Sequence, residues 1–556
     1  MSVEGNWIIV AAGLTGQRRM NRLGTSQYLR PSRDIPPIES RERLEYNARL
    51  MNSPDVPFNL YDYFFGSSGL GNLGNNDAIH FRGGRFTYNE LRDYVDLWAK
   101  RLVSAGVRKG DRTAVLLFDS PEFVASFLAS ASIGAICVPI NTFLQADEIG
   151  FILRDSGAKL IVSESDLAQR LENIEQPVAL LDSKTREYIA PPNADTGLGE
   201  QSQLTASSPA FLLYTSGSTG VPKGVLHRHG GIPATVESYS KTVLRLSAAD
   251  RIYSASRLYF AYGLGNSLSF PLAAGASVIL DDERPTADRV AKIFERERPS
   301  VFFGVPALYN ALLEFKARGE KLDTGSLRLC VSAGEALPAG IFEEWNRAFG
   351  LSILDGIGST EMLHIFISNH AGDEQAGSTG KVVKGYEARL LDDQDHELAG
   401  EQTGNLWIRG ESATSGYWER PDLTEAAIRE GWVKTGDVYR RDKDSRFYHL
   451  GRSDDCFKVN GLWVSPIEVE AALLSHADVV EAAVVPDINA RGLATARAFA
   501  VIRQGCAPES FAGELRSYLR SVLAPYKVPS RIDFIKELPR TSTGKVQRFK
   551  LKEPFN

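Results

Sequence analysis

Residues 211–224 read FLLYTSGSTGVPKG, and this stretch is the strongest single indication of what kind of protein this is. An apolar run, Phe211 to Tyr214, is followed by hydroxyl residues alternating with glycines and then by a lysine. Glycines let a backbone approach a phosphate closely, while N–H groups, hydroxyls and an ammonium supply donors and charge. The spacing is not that of a Walker A loop. The residues predicted to hold phosphates are Thr215, Ser216, Gly217, Ser218, Thr219, Gly220 and Lys223.

A flexible Gly/Ser linker is the alternative interpretation of this stretch. The stretch lies between a buried-looking strand and the apolar segment 224–227, and this position favours a phosphate-binding loop over a linker.

The chain on both sides of this loop alternates apolar strands with helical patterns. Thr87 to Val107 is predicted to be a helix with a capping box at Thr87 and Glu90, and a strand at 113–117 and a helix from about Pro121 follow. Further strands are predicted at 211–214, 277–280, 301–303, 327–331 and 353–354. This order indicates a parallel sheet with helices on its faces. The polar loops 215–220, 332–335 and 356–361 should then share a site at the carboxyl edge.

The length of 556 residues exceeds what one hydrophobic core supports. The predicted fold class is α/β, with a large N-terminal domain of parallel α/β subdomains plus a β subdomain, and a small mobile α+β C-terminal domain. We expect residues 1–55 to be an N-terminal extension, partly disordered or left over from expression. Residues 56–452 should form the large domain and residues 453–556 the small lid domain.

Composition excludes several classes of protein. A net charge of -6 gives no reason to expect a nucleic-acid partner. The four cysteines are scattered without a CxxC pair, which argues against a zinc site and a disulfide framework and favours a reducing cytoplasm. No apolar run is long enough to span a bilayer, so no membrane association is expected.

Three other polar segments carry a charged residue in or after a stretch that contains glycine. Glu361 follows a glycine-rich run, and a carboxylate is the natural ligand of a hard cation such as magnesium, although a solvated first-turn residue of a helix is the alternative. Asp437 follows a glycine and, taken alone, fits a turn. Lys545 lies in a Gly/Ser/Thr segment and, taken alone, is a solvated lysine.

Taken in order, these stretches resemble the motifs of the acyl-adenylate-forming superfamily: acyl- and aryl-CoA ligases, peptide-synthetase adenylation domains and firefly-type luciferases. The resemblance covers about residues 58 to 550. It implies that Thr360 contacts the α-phosphate, that Glu361 holds Mg²⁺, and that Asp437 binds the ribose. The other residues implied to bind ATP or coenzyme A are Gly334, Glu335, Asp355, Gly356, Arg452, Lys458 and Gly461.

The resemblance also implies a two-pose mechanism. Asp454 is expected to be the hinge about which the small domain rotates. Lys545 is expected to serve adenylation, while the loop 458–461 lines the tunnel for the thiol arm once the domain has rotated.

The segment 257–266, RLYFAYGLGN, closely resembles benzoate- and 2-aminobenzoate-CoA ligases. Phe260 falls at the gate of the acid pocket, where many relatives carry histidine. Nothing acidic lies between Arg257 and Asn266, which disfavours an α-amino acid. His364 either packs on a helix or hydrogen-bonds the substrate. The predicted acid-binding residues are Phe260, Ala261, Tyr262, Gly263, Ala333, Gly358 and His364.

The sequence therefore predicts an ATP-dependent aryl-CoA ligase that uses Mg²⁺ and coenzyme A and activates a benzoate-type acid as aryl-AMP. One alternative is a stand-alone adenylation enzyme that loads the pantetheine thiol of a carrier protein. Another is a non-catalytic nucleotide-binding protein, against which Thr360, Glu361, Asp437 and Lys545 argue together. The ring substituent and the oligomeric state, monomer or homodimer, stay open.

Overall fold

The computed structural model describes residues 56–66, 73–171, 179–182, 204–216, 221–489, 493–503, 508–540 and 546–552. The expected N-terminal extension, 1–55, lies outside these residues. By compactness the chain divides into two units. The first comprises Met1–Gly372, Val383–Gly385 and Gly410–Ala426, and the second comprises Asp373–Val382, Tyr386–Arg409 and Ala427–Asn556. The domain boundary expected after residue 452 stays a prediction.

The bounds of the strands and helices are as follows. The strands up to residue 368 are β1 Asp77–Phe81, β2 Gly84–Thr87, β3 Arg112–Leu116, β4 Ile136–Pro139, β5 Ala158–Ser163, β6 Ala179–Asp182, β7 Pro209–Ser216, β8 Pro222–Arg228, β9 Arg251–Ser254, β10 Ser277–Leu280, β11 Val301–Gly304, β12 Leu329–Ser332, β13 Ile353–Gly358 and β14 Ile365–Ser368. The later strands are β15 Lys381–Val382, β16 Tyr386–Leu391, β17 Gln402–Gly410, β18 Gly416–Tyr417, β19 Ile428–Arg429, β20 Trp432–Arg441, β21 Phe447–Arg452, β22 Phe457–Val459, β23 Leu462–Val464, β24 Val479–Ile488, β25 Ala494–Ile502 and β26 Arg531–Phe534. The α-helices are Leu60–Phe65, Tyr88–Ser104, Pro121–Ser132, Ala146–Ser156, Ser165–Ala168, Gly231–Thr235, Ala261–Leu264, Phe270–Ala274, Ala287–Glu297, Pro306–Ala317, Ala339–Phe349, Pro421–Ala427, Pro466–Leu474, Pro508–Val522 and Arg548–Lys552.

The helix predicted near residue 87 shows how local sequence builds these elements. The Thr87 hydroxyl accepts from the Glu90 N–H and the Glu90 carboxylate accepts from the Thr87 N–H, which completes the predicted capping box. Leu91, Val95 and Trp98 recur at helical spacing and are fully buried. The prediction of this helix is confirmed.

The sequence predicts that three polar loops share the carboxyl edge of one parallel sheet, whereas the first unit contains two sheets. One sheet runs in the order β14-β13-β12-β11-β9-β10-β1-β2, with parallel pairing from β13 to β1. The other runs β18-β8-β7-β4-β3-β5-β6, with parallel pairing from β7 to β6. The strand before the phosphate loop, β7, therefore lies in a different sheet from β12 and β13. Local strand patterns could not reveal this, because pairing partners are far apart in sequence.

Each sheet of the first unit is covered by its own hydrophobic cluster. Trp345, Tyr309 and Phe302 are buried in the cluster on the first sheet. Val138 and Leu212 are buried in the cluster on the second. The strands are apolar on both faces, as is typical of parallel sheets.

The second unit is built mainly from antiparallel strand pairs, and the pairing of β25 with β26 is parallel. Strands β16, β17, β20 and β19 form a sheet in that order, and β21 pairs with β20. Further along the chain, β22 and β23 form a hairpin, and β24-β25-β26 form a small sheet. Among the described residues, no helix combines the length and apolar character needed to cross a bilayer.

Candidate active site

The phosphate-loop residues begin at the end of a hairpin. Thr215 and Ser216 are the last residues of β7, and Thr215 pairs with Lys223 of β8. The Lys223 ammonium lies 4.1 Å from the centroid of the Tyr417 ring, a cation–π contact. The glycine-rich tip, residues 217–220, lies outside the described residues. The hairpin thus brings the lysine back beside the strand that leads into the loop.

The segment that carries Thr360 and Glu361 is a turn between two strands. β13 continues to Gly358, and residues 359–364 form turns before β14 begins at Ile365. A Cβ on Gly358 would lie 2.6 Å from the His364 carbonyl oxygen, so only glycine permits this close approach. The alternatives that Glu361 or His364 lies on a helix are both wrong, because the tight reversal at 358–364 leaves no room for a helical turn.

Long-range hydrogen bonds join this turn to the sheet that carries the phosphate loop. The His227 Nε2–H donates to the Thr360 carbonyl oxygen at 2.8 Å, and the Thr414 N–H donates to the Glu361 carbonyl oxygen at 2.7 Å. Burial lowers the pKa of His227 to about 4, so the imidazole is neutral at pH 7. The two sheets of the first unit are therefore locked together at the expected phosphate site.

The Glu361 carboxylate is held by one tyrosine. The Tyr417 hydroxyl donates to Glu361 Oε1 at 2.7 Å, and the Tyr417 ring also carries the Lys223 contact. We name Lys223, Thr360, Glu361 and Tyr417 the nucleotide corner. It is half-buried and contains both a positive and a negative side chain.

Four of the residues expected to bind ATP or coenzyme A lie just after β12 or within β13. Asp355 is buried in β13, and its Oδ1 has no hydrogen-bond partner within the described part of the chain. Burial raises the pKa of Asp355 well above its usual range. Gly334 and Glu335 are exposed just after β12, with Gly334 at φ 91, and Gly356 follows Asp355. A buried carboxyl with an unused oxygen suits a polar ligand group.

The acid segment, residues 257–266, is anchored at its start. The Leu258 N–H donates to Asp119 Oδ1 at 3.0 Å, and the Arg257 guanidinium donates to the carbonyl oxygens of Asp281 and Glu283. A Cβ on Gly263 would lie 2.0 Å from the Arg257 carbonyl oxygen. Gly263 therefore allows the short helix Ala261–Leu264 to pack directly on the backbone that precedes it.

Phe260 lies at the exposed end of this segment. Its side chain is 45% exposed and packs edge-on against Tyr259, with ring centroids 4.8 Å apart. Ala261, which follows Phe260, and Ala333, which follows β12, are both buried. An exposed aromatic at the start of a buried segment is consistent with the predicted gate, which stays a prediction.

His364 is enclosed by three aromatic side chains. Its ring centroid lies 4.5 Å from Phe270, 5.3 Å from Tyr239 and 5.6 Å from Tyr262. We name Tyr239, Tyr262, Phe270 and His364 the ring cluster. The Tyr262 hydroxyl donates to the Gly304 carbonyl oxygen at 3.4 Å. Tyr239, Phe270 and Tyr262 thus pack around the buried His364 ring.

The His364 ring is neutral, and its two nitrogen atoms have different surroundings. The Nε2–H donates to the amide oxygen of Asn266 at 3.1 Å, while Nδ1 is buried without a partner among the described residues. Burial lowers the pKa of His364 to about 3, so the ring is neutral at pH 7. The ring cluster accordingly contains no charge, which favours an uncharged aromatic ring as its ligand.

In the second unit, Asp437, which is expected at the ribose, pairs directly with Arg452, which is also expected to bind ATP or coenzyme A. Asp437 and Arg452 lie opposite each other on β20 and β21, and Arg452 Nη1 donates to Asp437 Oδ1 at 3.1 Å. His449 Nε2 lies 3.3 Å from the same oxygen. Gly436 has φ 75, and a Cβ there would lie 2.5 Å from the Arg452 guanidinium. The carboxylate is thereby fixed, with its second oxygen free of these contacts.

The expected hinge and tunnel loop follow in the same unit. Asp454 is exposed in a turn after β21. Lys458 forms an ion pair with Asp393, and its ammonium lies 4.6 Å from the Trp463 ring centroid. Asn460 and Gly461 both have positive φ, 52 and 79, which is the geometry of a tight hairpin between β22 and β23. The expected catalytic Lys545 lies outside the described residues.

Sequence reasoning missed several members of these groups. Tyr417, His227 and His449 were not selected, because none of them belongs to a motif that the sequence analysis used. His227 and Tyr417 also contact residues far along the chain, Thr360 and Glu361, which no local pattern indicates.

Comparison with known proteins gives a consistent result. Residues 71–418 match the family described as AMP-binding enzyme, and residues 468–545 match the AMP-binding enzyme C-terminal domain. The chain is 39% identical to the benzoate–CoA ligase of Thauera aromatica, over 89% of this chain and 96% of the relative. It is 37% identical to the anthranilate–CoA ligase of Pseudomonas aeruginosa, over 85% and 93%. The solved anthranilate CoA ligase AuaEII, in complex with anthranoyl-AMP, superposes with a TM-score of 0.80 at 35% identity, over 90% of this chain and 98% of that one.

Proposed function

This chain belongs to the AMP-binding enzyme family and is an aryl-CoA ligase, and on that premise we propose which acid it takes and which residues carry each step. In the first step the acid carboxylate attacks the α-phosphorus of ATP, which gives aryl-AMP and pyrophosphate. In the second step the thiol of coenzyme A attacks the carbonyl carbon, AMP leaves, and the thiol proton is released. Loading of a carrier protein is not favoured, because the relatives reported above are CoA ligases.

The acid is a benzoate: benzoate itself, 2-aminobenzoate or a hydroxybenzoate. The observation that carries this proposal is the ring cluster, in which His364 is buried and neutral and no charged side chain takes part. A flat aromatic ring gains dispersion and burial energy against such a cluster, whereas an ammonium or a second carboxylate would lose its hydration there. Phe260, Ala261 and Ala333 complete the proposed acid-binding set, and Gly263 and Gly358 shape it through the close backbone approaches that they permit.

The nucleotide corner acts on the phosphates. Lys223 and the loop Thr215–Gly220 neutralise and hold the β- and γ-phosphates, while Thr360 contacts the α-phosphate. That both segments act on the same ligand is supported by the hydrogen bond between the Thr360 carbonyl oxygen and His227, which lies on strand β8 of the loop's hairpin. Charge that moves onto pyrophosphate as the bond breaks is stabilised by donors that are already in place.

Mg²⁺ fits the Glu361 carboxylate. One of its oxygens accepts from Tyr417, and the other is available to a hard cation. Within the described residues, no group of three or more acidic, histidine or cysteine side chains is arranged to hold a metal ion. A single protein carboxylate suits Mg²⁺, which usually completes its octahedron with water and substrate phosphates. When bound, the cation would neutralise the triphosphate.

The second unit contributes to both steps. Asp437 and Arg452 bind the ribose hydroxyls, a role supported by their direct pairing. Asp454 is the hinge about which the small domain rotates, and the hairpin that carries Lys458 and Gly461 lines the path of the thiol arm. Lys545 bridges the acid carboxylate and the ATP phosphates during adenylation. Closure around aryl-AMP would keep water from this reactive anhydride.

The first experiment is acid-dependent pyrophosphate release from ATP, with and without coenzyme A. The acids are benzoate, 2-aminobenzoate, 2- and 4-hydroxybenzoate, a cinnamate and acetate. Release with a benzoate, followed by an aryl-CoA product when coenzyme A is added, is the expected result. If no aromatic acid gave pyrophosphate release and acetate did, the proposed substrate class would be overturned.

Two variants separate the steps. Lys545→Ala should abolish aryl-AMP formation while leaving thioester formation from supplied aryl-AMP largely intact. Gly461→Leu should do the reverse, because a side chain at the tip of the hairpin would obstruct the thiol arm. Equal loss of both steps in either variant would contradict the assigned role.

A further inference from the structure

We propose that Tyr417 is a positioning residue for adenylation, which holds the cation-binding carboxylate of Glu361 and the phosphate-binding ammonium of Lys223 in one fixed arrangement. The inference rests on the roles proposed above for these two residues, and it adds a residue that belongs to neither motif.

The backbone of Tyr417 is fixed against the phosphate-loop hairpin. The short strand β18 pairs antiparallel with β8, with Tyr417 opposite Val225, and the Trp418 N–H donates to the Gly224 carbonyl oxygen at 2.8 Å. The Tyr417 N–H itself donates to the Thr424 hydroxyl at 2.9 Å. The strand partner of Tyr417 is Val225, and Lys223 lies two residues before Val225 on β8. The Tyr417 ring therefore lies beside Lys223.

The two ends of the side chain meet opposite charges. The ring face lies 4.1 Å from the Lys223 ammonium, and the hydroxyl donates to Glu361 Oε1 at 2.7 Å. Only 7% of Tyr417 is exposed, so both contacts are largely shielded from water. A cation–π contact and a hydrogen bond to a carboxylate both strengthen when desolvated.

The same segment also fixes the backbone of the cation ligand. The Thr414 N–H donates to the Glu361 carbonyl oxygen at 2.7 Å, and the Ser412 hydroxyl donates to the Met362 carbonyl oxygen at 2.8 Å. With the backbone held on both sides and Oε1 engaged by Tyr417, Glu361 presents its other oxygen in a set direction. A preorganised ligand needs no reorganisation when MgATP arrives.

A set of tyrosine variants tests this inference. Tyr417→Phe removes one hydroxyl and keeps the ring, whereas Tyr417→Leu removes both contacts. Tyr61→Phe is the matched control, because the Tyr61 hydroxyl donates to Asp96 at 2.6 Å elsewhere in the first unit. The readouts are thermal midpoint, ATP binding by calorimetry across a Mg²⁺ titration without acid, and the single-turnover rate of aryl-AMP formation.

The hydroxyl should matter chiefly for the cation. Tyr417→Phe should raise the Mg²⁺ concentration needed for half-maximal ATP binding, and lower the aryl-AMP rate, by roughly 10- to 100-fold, as expected for a lost hydrogen bond to a charged group. Tyr417→Leu should additionally weaken ATP binding at saturating Mg²⁺. Thioester formation from supplied aryl-AMP should stay within about twofold of wild type in both, as should every readout for Tyr61→Phe.

A double variant distinguishes coupling from general damage. If the hydroxyl acts through the carboxylate, adding Tyr417→Phe to Glu361→Gln should change the Mg²⁺ requirement no further. Additive losses, or an unchanged Mg²⁺ requirement in Tyr417→Phe, would overturn the inference. Because ATP binding is measured without acid, a wild type that activates no aromatic acid would refute the proposed function and still leave this test decisive.

Discussion

The ring cluster and the nucleotide corner lie in the same compact unit but are built in opposite ways. The ring cluster is largely buried and uncharged, because burial keeps the His364 ring neutral. The nucleotide corner is half-buried and carries a lysine and a glutamate on the two ends of one tyrosine. In the proposed function, the ring cluster receives the aromatic ring of the acid, and the nucleotide corner holds the triphosphate with its cation. The difference predicts that substitutions in the two regions will fail in different ways.

The largest effect is expected at the nucleotide corner. Glu361→Gln keeps the shape and the acceptor for Tyr417 but removes the charge, so aryl-AMP formation should fall roughly 10²- to 10³-fold, as when a preorganised electrostatic group is removed. Single-turnover kinetics with ATP and benzoate would measure this. Conversion of supplied aryl-AMP and coenzyme A to aryl-CoA should persist, and its parallel loss would show that the residue serves folding instead.

A comparable but purely steric effect is expected in the acid segment. Gly263→Ala places a methyl group against the Arg257 carbonyl oxygen and displaces the helix that carries Tyr262. A misplacement of this kind costs on the order of 10²-fold in kcat/KM for the acid. ATP binding should not change, since the nucleotide corner is untouched. Gly340→Ala is the control, because a Cβ there meets nothing within 4 Å. If Gly263→Ala kept the wild-type kcat/KM for the acid, the steric role of Gly263 would be wrong. Substitutions in the two regions would then no longer be expected to fail in different ways.

The pH dependence of stability offers a subtler contrast. His364 has an ordinary pKa of 6.5 when unfolded and about 3 when folded, so the unfolded chain takes up the proton first as the pH falls. Its contribution to stability is therefore present above pH 6.5 and is lost below it, by about 2 kcal/mol at pH 5. Chemical denaturation at pH 7.5 and pH 5 should show a flatter dependence in His364→Gln than in wild type. Identical slopes would mean that the buried ring is not held neutral.

The smallest effect is expected from a hydrogen bond behind the nucleotide corner. Ser412→Ala removes one of the two donors to the Met362 carbonyl oxygen and leaves the His364 N–H, so it should cost at most about 1 kcal/mol of folding free energy. Thermal unfolding would measure it, with Ser517→Ala on an exposed helix face as the control. A large fall in adenylation rate without loss of stability would instead extend the nucleotide corner to residue 412.

Much of the molecule follows from the sequence by itself. The strand positions, the capping box at Thr87, the parallel sheets and the order of the nucleotide motifs are written in local residue patterns, because strand periodicity, caps and glycine-rich loops each depend on a few neighbouring residues. The relationship to aryl-CoA ligases follows from the same motifs, and the comparisons confirm it.

Which residues contact one another at the site depends on the tertiary structure. The phosphate loop and the Thr360–Glu361 turn belong to two different sheets, and His227, Thr414 and Tyr417 join them across more than 50 residues of chain. His364 lies in a turn rather than on a helix, because Gly358 allows the backbone to reverse tightly. Contacts of this kind form when distant elements pack, and no local pattern records them. The motifs that carry the chemistry were therefore recognised in the sequence. The long-range contacts that position them are seen only in the folded structure.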